Sequence, residues 1–150
     1  MVMDTEMIRK FQLTRPPQFQ GNEHNVDAAL NQRVLDWVTD QTGYFLRPGD
    51  LWVNLLQDQI SFSYLTRQGE RAMGRFADLI KGGKITPLNL DVSERRTPIQ
   101  RMITRIETQL DLLEMTPPET LDRWHGEAVK LANKTLLENM LSAAKAWDQQ

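Results

Sequence analysis

The side chains able to do chemistry are few, and their spacing gives them little to do. His24 and His125 are the only histidines and there is no cysteine. That excludes disulfides, thiol nucleophiles and cysteine zinc sites, and leaves little for histidine catalysis. His125-Gly126-Glu127 beside Trp124 offers two metal ligands at most, no second cluster completes a shell, and neither HExxH nor an EF-hand loop is present. Gly82-Gly83-Lys84-Ile85-Thr86 resembles a phosphate loop only in part. It lacks the upstream glycine and places Ile85 where Ser or Thr should follow the lysine. Ser61, Ser63, Ser93 and Ser142 stand in no nucleophile elbow. Asp36 with Asp40, Glu107 with Asp111, and Asp111 with Glu114 are three or four residues apart. Such pairs hold a cation or do acid–base work when sunk in a cleft, but here they lie opposite apolar stripes and read as solvated helix faces. The expectation is a non-catalytic protein with no metal and no cofactor.

Charge is the feature that rises above this background. Residues 64–105 carry nine Lys or Arg against four Asp or Glu, a net of +5, whereas residues 1–63 carry a net of −3 and residues 106–150 a net of −4. Arg67, Arg71 and Arg75 recur every four residues, which on a helix makes one ridge, and Arg101 and Arg105 repeat the spacing. Three readings stand: the arginines pair within the fold, they meet an acidic protein surface, or they follow a phosphate backbone. A pI near 5.7 argues against a dedicated nucleic-acid binder. Alternating acidic and basic blocks suit head-to-tail contact between copies.

The elements that must position these residues follow from length and periodicity. The chain has 150 residues, 40% of them apolar and 25% charged, which suits one domain. No run approaches the roughly 20 apolar residues of a membrane span, and Met1–Lys10 does not read as a secretory signal. A cytoplasmic location is the corresponding expectation. Residues 1–24 read as an extended N-terminal arm. Phe11-Gln12-Leu13-Thr14 alternates, Pro16-Pro17 holds the chain extended, and Phe19 follows. Such an arm straps its own core or, through Phe11 and Phe19, docks on a neighbour.

Residues 25–150 are expected to form a single, mainly α domain. Val26, Ala29, Leu30, Val34, Trp37 and Val38 predict a helix over 25–42. Arg47-Pro48-Gly49-Asp50 is a turn, and Asp50 is placed to cap a helix near 51–58. Ile60 to Thr66 alternates like a strand, with the arm, residues 84–90 or another chain as its partner; one helix through residues 50–67 is the competing reading. A helix over 70–81 should end at Gly82-Gly83. Thr97-Pro98-Ile99-Gln100 and Thr116-Pro117-Pro118-Glu119 both read as helix starts, predicting helices over 98–114 and 118–147 that pack as an antiparallel hairpin. Gly126 stands where the second of these bends or divides. The minor β element is expected from residues 60–66 with 84–90. Trp147, near the end of the last helix, anchors that helix or fills a partner's pocket.

The function that uses most of these features is assembly: an adaptor that self-associates as a homo-oligomer or binds a larger protein through Phe11, Phe19, Arg67, Arg71, Arg75, Arg101, Arg105 and Trp147. The alternative is a regulator that contacts nucleic acid through residues 67–105. No membrane partner is expected.

Overall fold

The computed structural model describes residues 25–54, 61–93 and 98–150. Its elements are α1 (Asn25–Thr42), β1 (Leu51–Asn54), β2 (Ser61–Tyr64), α2 (Arg67–Lys81), α3 (Ile99–Met115), α4 (Pro118–Leu121) and α5 (Gly126–Asp148). The architecture is mainly helical with one antiparallel β-hairpin. The expected arm over residues 1–24, with Phe11 and Phe19, lies outside the described residues.

Local signals account for most helix limits. α1 ends at Thr42, where the Gly43 N–H donates to the Thr39 carbonyl at 2.9 Å. α2 starts on the Thr66 side chain, which accepts from the Gly69 N–H, and it stops where Gly82 and Gly83 return their N–H groups to Asp78 and Ile80. α3 ends on Thr116, whose hydroxyl donates to the Leu112 carbonyl. That threonine therefore closes α3 and does not cap the element after it. Pro118 then opens the single turn of α4 at its first position.

Gly126 divides the last helical stretch. Residues 122–125 are non-helical and α5 begins at Gly126 itself. A Cβ there would fall 1.8 Å from the Pro118 carbonyl oxygen, so α5 starts in contact with the backbone of α4. The two runs expected to form one helix over 118–147 thus form two, and the hairpin proper is α3 against α5.

Two expectations near the hairpin are corrected. Residues 51–54 are a strand, not the start of a helix, and they pair with residues 61–64 in the register Leu51↔Tyr64, Trp52↔Ser63, Val53↔Phe62 and Asn54↔Ser61. Asp50 therefore closes a turn instead of capping a helix. Its own N–H donates to the Arg47 carbonyl, and its carboxylate accepts from the Arg47 N–H at 2.9 Å. The strand reading of 61–64 holds, but its partner is 51–54 and not 84–90. Within residues 84–90 three N–H groups are taken up otherwise, Lys84 by the Leu79 carbonyl, Thr86 by Gln41 Oε1 and Leu88 by Asn139 Oδ1, while Pro87 has none to give.

The core joins these elements. Val34, Trp37 and Val38 of α1 meet Phe76 of α2, and Phe76 lies edge-on to Trp37 at 5.0 Å and to Phe62 at 6.2 Å between ring centroids. α5 contributes Val129, Ala132, Leu136, Leu137, Met140 and Ala144, and packs on α2, α3, α4 and β2. Asn133 on its buried face donates to the Phe62 carbonyl at 2.8 Å and to its own helix at Val129, stitching α5 to the hairpin.

Among the described residues Ser63 is the exception to polar satisfaction. Its hydroxyl is buried and has no hydrogen-bond partner among the described residues. Ser63→Ala should therefore raise stability by about 1 kcal/mol, since it removes an unpaid desolvation, and urea denaturation monitored by circular dichroism would read the change.

Candidate partner-binding surface

The arginine ridge is the sequence feature that the structure displays most openly. Ala72, Met73, Phe76, Ala77 and Leu79 turn one side of α2 into the core, and helical geometry then forces Arg67, Arg71 and Arg75 onto the opposite side. All three are exposed. Among the described residues none of the three has an acid within ion-pair distance.

A rigid joint holds the start of this helix. The Thr66 hydroxyl accepts from the Gly69 N–H and itself donates to Asp50 Oδ1 at 2.7 Å. Burial alone would raise the Asp50 carboxyl, but the Arg47 N–H, the Thr66 hydroxyl and the Arg47 charge together hold it below the usual carboxylate range. Gly69 lets the helix approach closely, since a Cβ there would lie 2.1 Å from the Asp50 carbonyl oxygen. That carbonyl accepts from the Leu65 N–H. The ridge is thus fixed to the turn before β1.

Two exposed aromatic residues border the same end of α2. Phe45 is 76% exposed, and its carbonyl accepts from Gln68 Nε2 at 3.3 Å. Trp124, 64% exposed, precedes His125, whose Nε2 lies 2.8 Å from Glu70 Oε2. Gln68 and Glu70 lie to either side of the Arg67–Arg71 row, so the backbone at Phe45 and the ring of His125, next to Trp124, meet α2 on its two sides. Side chains of this size normally bury themselves, and aromatic residues and arginine are enriched at interface centres, which makes this end of α2 a candidate surface.

Behind Trp124 sits a buried polar cluster that sequence reading does not reveal. The Tyr64 hydroxyl donates to Asp122 Oδ2, and Asp122 Oδ1 accepts from the N–H groups of Trp124 and His125 at 2.7 and 3.1 Å. The His125 ring packs edge-on against Tyr64. Burial pushes the Tyr64 phenol far up, and the hydrogen bond to Asp122 with the charges of Asp122 and Glu70 adds to it, so the hydroxyl keeps its proton to donate to Asp122. The cluster folds residues 122–125 into a turn that presents Trp124 outward. The one sequence signal was local: an Asp two residues before a Trp and three before a His is an Asx-turn pattern.

The remaining candidates lie elsewhere. Arg101 is exposed on α3 and Arg105 is half-buried and engaged. α2 and α3 each pack on α5 and share no packed seam, so these two do not extend the ridge. Trp147 is half-buried against the core. The exposed acids of α3 are partly matched within the fold, Glu107 by Lys145 at 3.7 Å, an exposed pair worth little. Among the described residues no three His, Asp or Glu side chains stand together as a metal site, and no helix is long and apolar enough to cross a membrane. No protein-family model, no curated protein and no solved structure matches this chain.

Proposed function

We propose that this protein is a non-catalytic assembly protein that binds acidic protein surfaces, its own included, through the exposed face of α2. The observation that carries the reading is the row Arg67, Arg71 and Arg75, solvent-facing and without an ion-pair partner among the described residues. Guanidinium groups paired inside the fold would have little left to offer a partner; these keep their full hydrogen-bonding fork. The exposed carboxylates Asp111 and Glu114 of α3 give a second copy a surface of the opposite sign.

Light scattering behind size exclusion tests this. At low salt the chain should run as a species larger than its 17.4 kDa monomer. Arg71→Glu with Arg75→Glu should return it to the monomer, and so should about 0.5 M salt, where screening reaches only a few Å. Because both arginines are exposed, the double variant should keep its stability to within about 1 kcal/mol. A monomer under every condition overturns self-assembly. Binding of a labelled DNA or RNA duplex, lost in the same variant and with salt, would reassign the ridge to phosphate backbones.

A further inference from the structure

The arginine ridge has a counterpart elsewhere on the molecule. A groove of about 670 Å³ runs between residues 87–92 and the last three turns of α5. Among the described residues its charged lining is Asp91 and Glu138, with no basic side chain. Both are exposed, and neither has a described base within ion-pair distance. The Ser93 hydroxyl and N–H hold the Asp91 carboxyl below the usual carboxylate range, and the Arg33 charge adds to this, so Asp91 is ionised at neutral pH. Ala143, Ala146 and half-buried Trp147 give the same groove apolar surface.

Two carboxylates, an indole and small apolar side chains together suit arginine. A guanidinium group pairs with a carboxylate through two N–H groups and stacks on an indole face, and its aliphatic stem covers apolar surface. Lysine brings a single point charge with a tightly held hydration shell and fits such a lining less well. The row Arg67, Arg71 and Arg75 spans about 12 Å along α2, and residues 138–148 span about 15 Å along α5, so the row and the groove wall match in length.

One molecule does not bring its own ridge and groove together. α2 packs on α5 through its apolar side, which leaves the arginines pointing away from the helix that walls the groove. The helices meet where Glu70 bonds His125, just before α5 starts at Gly126, and Glu138 lies about 18 Å further along that helix.

We propose that the arginine ridge of one copy docks in the Asp91–Glu138 groove of a second copy. The proposal rests on the reading of α2 as the binding face and adds the surface that receives it. Asp111 and Glu114 of α3 stand on an open helix face, where an ion pair is worth little. The groove instead offers the guanidinium groups a wall on either side. A ridge-to-groove contact joins two different patches, so every pair of copies keeps one free ridge and one free groove and takes up further copies.

The test is light scattering on the full-length chain over a range of concentrations. The wild type should pass beyond a dimer as concentration rises. Arg71→Gln with Arg75→Gln neutralises the ridge, and Asp91→Asn with Glu138→Gln neutralises the groove. Each variant alone should need at least about tenfold more protein to associate. Mixed in equal amounts, the two should form dimers and nothing larger, because one intact ridge and one intact groove remain in each pair. All four positions are exposed, so thermal melts of both variants should match the wild type. A groove variant that associates like the wild type, a mixture that stays monomeric, or a wild type that stops at a dimer would each overturn the docking and leave the reading of α2 standing. Loss of association in Asp111→Asn with Glu114→Gln, with the groove variant unaffected, would overturn it in favour of α3. A wild type that is monomeric at every concentration would overturn this proposal and self-assembly together.

Discussion

Gly126→Ala should unfold the protein well below the temperature at which the parent melts. The added methyl would fall 1.8 Å from the Pro118 carbonyl oxygen and 2.3 Å from its carbon. Both are backbone atoms, so no rotamer change can relieve the overlap, and α4 must move away from the start of α5. Moving it disturbs buried Leu121 and Asp122 at the same joint. Overpacking that forces backbone to shift costs about 3 kcal/mol or more, against which the better helix propensity of alanine returns less than about 1 kcal/mol. In a chain of this length that is a fall in Tm of roughly 10 °C. Gly74→Ala is the matching control, for it lies inside α2 with nothing within 4 Å of the added methyl. It should stabilise by about 0.5–1 kcal/mol through propensity alone. Thermal melts of both variants by circular dichroism check the pair, and equal melting temperatures would mean that α4 and α5 are not in contact at Pro118.

The second large effect is expected at Asp122. Its carboxylate is the common acceptor for the Tyr64 hydroxyl and for the N–H groups of Trp124 and His125. In Asp122→Ala all three donors lose it at once. The Trp124 and His125 amides are partly buried and recover some hydration, but the Tyr64 hydroxyl lies in the core with a side chain only 2% exposed. A stranded buried donor costs about 1–3 kcal/mol, and with the turn released the total should reach about 3–4 kcal/mol. Asp122→Asn keeps an amide oxygen for the two N–H groups and should cost less than half as much. Urea denaturation gives both numbers. Tryptophan fluorescence of the folded Asp122→Ala protein should also change, because the turn that orients Trp124 depends on the lost carboxylate. A loss of partner binding in this variant with the arginines intact would tie Trp124 to the same interface as the ridge.

What could be read beforehand divides by the distance over which the deciding interaction acts. The limits of α1 were legible because its stripe and its Thr42-Gly43 stop are local. The antiparallel pairing of α3 with α5 was legible because the Thr116-Pro117-Pro118 break announces a reversal. Leu51-Trp52-Val53-Asn54 was not. Leu51, Trp52, Leu55 and Leu56 fit a helical stripe as well as a strand, and the choice is made by pairing with residues 61–64. Residues 84–90 look like a strand and are refused that role by Gln41 and Asn139, side chains 45 and 51 positions away. Of the proposed binding surface, the ridge was legible from the spacing of four. Its setting was not, since Phe45 and Trp124 belong to apolar runs that any stripe count assigns to the core. The bond between Tyr64 and Asp122 spans 58 positions, and no window along the chain contains both.

The position of α5 bears on how the molecule reaches its native state. This helix closes against α2, α3, α4 and β2, and its Asn133 bonds a carbonyl 71 positions earlier. Chain loops of that size must be closed before most of the apolar surface is covered, and their entropy is lost before any contact repays it. Refolding should therefore be slower than in an up-and-down helical bundle of equal length, with the transition state governed by the meeting of α5 with the hairpin and not by the rate at which single helices form.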